Sequence, residues 1–89
     1  ADLIDVREQW EWDQARIPGA RLIPKGQVPS RTHELNPQRT LVIHCASGQR
    51  SADVTRLLLE KGYPRVFNLA GGIIAWMNLQ LPVELGPKS

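Results

Sequence analysis

With 89 residues, 42% of them hydrophobic, and a net charge of +2, the chain has the size and composition of one small globular domain that can bury a core. Its eleven basic residues are scattered, which argues against a nucleic-acid footprint, and no apolar stretch reaches the roughly 20 residues that span a membrane. A single cysteine excludes an internal disulfide, and no secretory pattern opens the chain, so the expected setting is reducing and cytoplasmic. One cysteine and two distant histidines offer no metal-ligand spacing, and neither a metal nor a cofactor is expected.

In chain order, Leu3-Ile4-Asp5-Val6 reads as a strand and Glu8 to Ala15 as a short helix, with Glu8 and Glu11 early in it, where acidic groups suit the helix dipole. Ile17-Pro18-Gly19-Ala20 breaks that helix. Arg21-Leu22-Ile23 is a brief strand ended by Pro24. Residues 24–39, with prolines at 24, 29 and 37, read as loop with one helical turn around Ser30 to Leu35. Leu41-Val42-Ile43 lacks polar alternation, the pattern of a parallel strand covered on both faces. A helix over 51–61 follows, with Ala52, Thr55, Leu58 and Leu59 on one face, Gly62 as its left-handed cap and Pro64 just beyond. Val66 to Leu69 is a further strand. Ala70-Gly71-Gly72 turns into a helix over 73–79, and residues 85–89 form a loose tail of a domain covering 1–89.

Strands alternating with helices predict an α/β fold: an open, mostly parallel sheet with helices on both faces. Sites in such sheets lie beyond the carboxyl ends of strands. Asp5-Val6-Arg7, Cys45 and Ala70-Gly71-Gly72 all fall at such ends and are expected to converge. Cys45 sits between a strand and a helix, followed by Ala46, Ser47, Gly48, Gln49 and Arg50. A tight loop of small and polar residues can aim several N–H groups at one point, with the helix N-terminus and Arg50 adding positive charge. A thiol there ionises readily, and its thiolate is the nucleophile. The plainer reading, a cysteine serving as a small buried hydrophobe, leaves Gly48 and Arg50 without a purpose. Arg50 is expected beside the anion, although a surface ion pair is the ordinary alternative. Asp5 and Arg7 are expected to form a structural pair bracing the loop. Strand alternation turns His44 away from Cys45, so it is a packed residue and not a base. His33 is expected in solvent. Trp12 and Trp76 are assigned to the core and Trp10 to the surface.

The order of four blocks resembles the rhodanese-homology domain, the sulfurtransferase module. Asp5-Val6-Arg7-Glu8 with Glu11-Trp12 and Ile17-Pro18-Gly19-Ala20 is similar to its opening blocks. Cys45-Ala46-Ser47-Gly48-Gln49-Arg50-Ser51 is similar to its active-site loop, and Asn68 to Gly72 with Ala75-Trp76 to its closing block. The resemblance implies that Cys45 accepts a sulfane sulfur from thiosulfate or a similar anion, within a cradle of residues 46–50. The Cys45 persulfide then passes it to cyanide, a thiol or a protein acceptor. Arg16 stands where the family usually has histidine and is taken as structural. Ala46 stands where a larger or basic residue is common, which opens the pocket rim to a bulkier donor. The strand and helix that usually precede Asp-Val-Arg in the family have no counterpart before Leu3, so an uncovered sheet edge is expected. Two alternatives remain: a sulfur-delivery or interaction module of a larger protein, and a phosphatase or arsenate reductase. The four residues between Cys45 and Arg50 make a loop shorter than that of cysteine phosphatases, which fits sulfur better than phosphate.

Overall fold

The computed structural model describes residues 1–87. Four parallel strands, β1 (Asp2–Asp5), β3 (Arg21–Leu22), β4 (Leu41–His44) and β5 (Val66–Asn68), form a sheet in the order β3-β1-β4-β5. Helices α1 (Gln9–Gln14), α2 (Val28–Arg31), α3 (Gln49–Glu60) and α4 (Gly72–Asn78) flank it. The segment read as loop is a run of short turns, with 3-10 helices at Lys25–Gln27 and Thr32–Glu34 on either side of α2. Pro29 lies in the first turn of α2, where its missing N–H costs nothing.

Alternation on β4 separates two environments. Leu41, Ile43 and Cys45 join Ile4, Val6, Val54, Leu58 and Val66 in the main core. Asp5 and His44 are register partners on the other face and are also fully buried. That second face is only partly covered farther along: Val42 is half-buried, and its register partner Phe67 is exposed. Val42 is therefore not enclosed on both sides as the apolar run predicts.

Helix α3 buries Ser51, Val54 and Leu58, a stripe one position away from the expected one, and Leu59 points to solvent. The reason is Ser51, whose hydroxyl is drawn inward by polar partners at the end of the sheet. The helix ends as expected. Gly62 has φ +96°, its N–H donates to Leu59 O (3.0 Å), and the Tyr63 N–H donates to Leu58 O (3.1 Å). This is the Schellman pattern that satisfies the last carbonyls of a helix.

Three further expectations need correction. Leu85 and Gly86 are not loose: β6 (Glu84–Leu85) pairs antiparallel with β2 (Ala15–Arg16), and the Gly86 N–H donates to Gln14 O (3.0 Å). Buried Arg16 holds this clasp, donating to Trp12 O (2.9 Å) and Gly86 O (2.7 Å) and pairing with Glu84. Lys88 and Ser89 of the expected tail lie outside the described residues. Neither Trp12 nor Trp76 enters the core. Trp12 is half-buried under the Arg16 guanidinium, 5.7 Å from its ring centre, and half-buried Trp76 donates its indole N–H to Pro82 O. Trp10 is exposed, as expected.

The second face carries a buried polar cluster. Arg7 donates through Nε and one terminal nitrogen to both Asp5 oxygens (2.7–3.0 Å); that terminal nitrogen also donates to Ala15 O (2.7 Å), and the other reaches Glu11 O (3.5 Å). His44 Nδ1 lies 3.4 Å from Cys45 O, while Nε2 is 3.6 Å from Asp5 and has no hydrogen-bond partner among the described residues. Burial is the main reason the imidazole pKa falls below its ordinary 6.5; Asp5 opposes the shift and Arg7 adds to it. Below that ordinary value the unfolded chain binds a proton that folded His44 refuses, so stability falls as pH drops. The slope from this one group is at most about 1.4 kcal/mol per pH unit. Urea midpoints measured between about pH 7.5 and about pH 5.5 should therefore fall less steeply for His44→Asn than for the parent.

Candidate active site

The carboxyl ends of β1, β4 and β5 meet at Cys45. Backbone bonds run across them: the Val6 N–H donates to His44 O (2.9 Å) and the Leu69 N–H to Ile43 O (2.8 Å). Gly48, at φ +115°, caps α3 in the left-handed region and reverses the chain after Cys45. That reversal brings the loop's donors back onto the cysteine. The Gly48 N–H donates to Sγ (3.1 Å), the Ser51 N–H also does so (3.4 Å), and the Ser51 hydroxyl is 3.3 Å from it.

The start of the loop is anchored from behind through its carbonyls. The Ile73 N–H of α4 donates to Cys45 O (3.0 Å) and the Ile74 N–H to Ala46 O (3.1 Å). This approach requires Gly72: at φ +57°, a Cβ there would overlap both carbonyl oxygens. Gly72 is thus a steric requirement of the loop, while a Cβ on Gly71 would meet Ala75 of α4.

Burial, the largest single influence, raises the pKa of the Cys45 thiol. The Ser51 side chain and the N–H groups of Ser51, Gly48 and Ser47 lower it, and the net result lies below the ordinary cysteine value. The balance is physically reasonable, since a hydrogen bond to an ionised group contributes roughly 1.5–3 kcal/mol and several converge here.

Arg50 is at the rim, but it is not a free cation. Its guanidinium forms a two-point pair with Glu11 (2.7 and 2.9 Å), which raises the Arg50 pKa and lowers that of Glu11. The same Glu11 oxygen accepts the Glu8 N–H (2.9 Å), so the helix cap and the arginine share one carboxylate. Asp5 and Arg7 pair with each other and, through Arg7, with the carbonyls of Glu11 and Ala15; neither has a hydrogen bond to the loop or to Sγ among the described residues. Gln49 begins α3 and is exposed; Ala46 contributes only its backbone. His44 points to the opposite face from Cys45, as alternation predicts, and exposed His33 reaches Glu34 at only 4.0 Å. No cluster of residues suited to a metal occurs among the described residues, and no helix is long and apolar enough to cross a membrane.

Sequence reasoning missed three participants. Glu11 was assigned to the dipole of its own helix. Ser51 was placed in a helix but not on its buried side, although its position directly after the loop is a usable signal. Asn68 figured only as the start of the closing block, with no role, although it ends a parallel strand beside β4. Its Oδ1 accepts the Ser51 hydroxyl proton (2.5 Å) and its Nδ2 donates to Gly48 O (3.2 Å).

A parallel sheet with a cysteine-centred amide cup after its central strand defines an α/β domain of the rhodanese class. The chain belongs to the Rhodanese-like domain family, whose model matches residues 1–79. It is 43% identical over 81 residues to a sulfurtransferase of Allochromatium vinosum, covering 91% of this chain and 76% of that protein. It is 39% identical to the putative sulfur carrier protein YrkF of Bacillus subtilis, spanning 84% of this chain but only 40% of that protein. The rhodanese-related protein of Thermoplasma volcanium superposes with a TM-score of 0.89 at 28% identity, covering 94% and 83% of the two chains. These kinships support a rhodanese-like role in sulfur transfer.

Replacing Gly72 by alanine should push the Cys45 and Ala46 carbonyls off α4 and disorient the inward amides. Alkylation of Cys45 by iodoacetamide near neutral pH should slow at least about tenfold. Gly26→Ala, where an added Cβ meets nothing within 4 Å, should leave the rate unchanged.

Proposed function

We propose that Cys45 is the nucleophile of a sulfurtransferase and carries the transferred sulfur as a persulfide. The observation that supports this most directly is the convergence of two backbone N–H groups and one hydroxyl on a single buried sulfur. In the first step the thiolate attacks the outer sulfur of the donor. A bond forms from Sγ to that sulfur, the donor's sulfur–sulfur bond breaks, and the electron pair leaves with the rest of the donor. With thiosulfate the leaving group is sulfite. The Cys45–S–S⁻ product keeps the single negative charge of the thiolate it replaces, moved one bond outward to the terminal sulfur, where the positive end of α3 and Arg50 favour it. In the second step a thiolate or cyanide attacks the outer sulfur and the Cys45 thiolate is restored. No general base is needed, because the inward N–H groups and the helix terminus favour the thiolate.

Residues 46–50 form the cradle, and Arg50 is placed to meet the donor's anionic end. Its pairing with Glu11 fixes the direction of the guanidinium and offsets part of its charge. The chain has no second cysteine to resolve the persulfide, so the acceptor comes from outside. A protein acceptor is consistent with this and with the similarity to a putative sulfur carrier protein; delivery to a dedicated partner is the second reading.

The test is mass spectrometry after treatment with thiosulfate and, separately, with a low-molecular-weight persulfide. A gain of about 32 Da, one sulfur atom on this nucleophilic scheme, is expected on the Cys45 peptide and should be reversed by dithiothreitol. No gain with either donor would overturn the reading. Cys45→Ser should abolish turnover with an unchanged circular dichroism spectrum. In the same assay Arg50→Ala should raise KM for an anionic donor severalfold more than it lowers kcat; turnover of p-nitrophenyl phosphate at a comparable rate would point to the phosphatase alternative.

A further inference from the structure

Asn68 stands outside the loop, yet it touches two of the groups that touch Cys45 Sγ. Its orientation is fixed by its partners. Nδ2 donates to Gly48 O, and Oδ1 faces the Ser51 hydroxyl; a flipped amide would set its oxygen against a carbonyl. Ser51 Oγ has one proton. At 2.5 Å the Asn68 carbonyl takes it, and the lone pairs of Oγ then face sulfur at 3.3 Å. In this arrangement the hydroxyl accepts from the neutral thiol. It can donate to a thiolate only by turning its proton away from Asn68.

We propose that Asn68 is a positioning residue for the nucleophile, acting on Cys45 through the direction of the Ser51 hydroxyl proton. The carbonyl of Asn68 and the sulfur of Cys45 compete for that proton. While the thiol is neutral, Asn68 holds it; when Sγ carries charge, as the thiolate, the proton turns to sulfur. The hydroxyl is thus adjustable, whereas the Gly48 and Ser51 amides are fixed donors. Of the other charged groups nearby, Arg50 of α3 is paired with Glu11 of α1 and also interacts with the Cys45 charge in every variant compared below, while Arg7 is paired with Asp5 on the opposite face beside His44.

The inference rests on Cys45 as the nucleophile, and its test does not require sulfur-transfer activity. The readout is the pH midpoint of Cys45 alkylation, with Cys45→Ser as the labelling control. Asn68→Leu removes the competing acceptor, so the midpoint should fall by about half a pH unit or more. In the Ser51→Ala background the same substitution should leave it unmoved. A rise with Asn68→Leu, or an equal shift in both backgrounds, would show that Asn68 merely braces the Gly48 peptide and would overturn the proposal. If the leucine variant does not fold, Asn68→Asp serves instead. Its carboxylate holds the proton harder, and the midpoint should rise by about one unit, more in the parent than with Ser51→Ala; no difference between the two backgrounds overturns the proposal. If turnover survives in Cys45→Ser, it is the nucleophile assignment that fails, whatever the midpoints.

Discussion

The direction of a few peptide groups governs everything around Cys45. The loop that carries the amides to the sulfur is anchored at its start, where the first turn of α4 binds the carbonyls of Cys45 and Ala46 from behind. This favours the ionised thiol and explains why Gly72 has no side chain. It also explains why the closing segment of the sheet, distant in sequence, is part of the site. Peptide dipoles held in place need no reorganisation when charge builds up, which is the physical advantage of such a cup over mobile side chains.

The arginines serve a different purpose. Arg7 lies on the sheet face opposite Cys45 and Arg50 at the rim of the loop, and each is held by a carboxylate at two points. The buried Arg7–Asp5 pair is a joint between β1 and the end of α1: it ties the Asp5 carboxylate to Ala15 O. A pair of this kind adds little net stability over an apolar substitute, but removing one partner leaves an uncompensated buried charge, at a cost of roughly 3–5 kcal/mol. Arg50–Glu11 lies at the rim, in partial contact with water, and is better understood as setting geometry and local charge than as holding the fold together.

The features legible in the sequence were those with a local physical signature. The apolar run at 41–43, Gly48 and Gly62 at reversals, and a lone cysteine between strand and helix specified the central β4–loop–α3 unit and its candidate nucleophile. The features that were not legible depend on contacts across the chain. A two-residue strand such as β6 has no periodicity to recognise; only the Arg16 network reveals it. The buried stripe of α3 was misplaced because Ser51 looks like a surface residue until Asn68 and Cys45 surround it. Trp12 and Trp76 look like core residues by size, yet each spends a face on an arginine or an indole N–H on a loop carbonyl. For Arg50 an ion pair was open as the ordinary alternative, but no short-range pattern linked it to Glu11, 39 positions earlier.

Cys45 is the only thiol in the chain and is more acidic than an ordinary cysteine. Acidic thiols are the ones peroxides attack first, and the usual rescue is a neighbouring cysteine that traps the sulfenic acid as a disulfide. Here no such neighbour exists, and a sulfenic acid formed on Cys45 would proceed to the irreversible sulfinic and sulfonic forms unless a small thiol reached it first. With a residue exposure of 1%, the enclosing loop is then more than a device for ionising sulfur: it is the main barrier between the thiolate and oxidative inactivation.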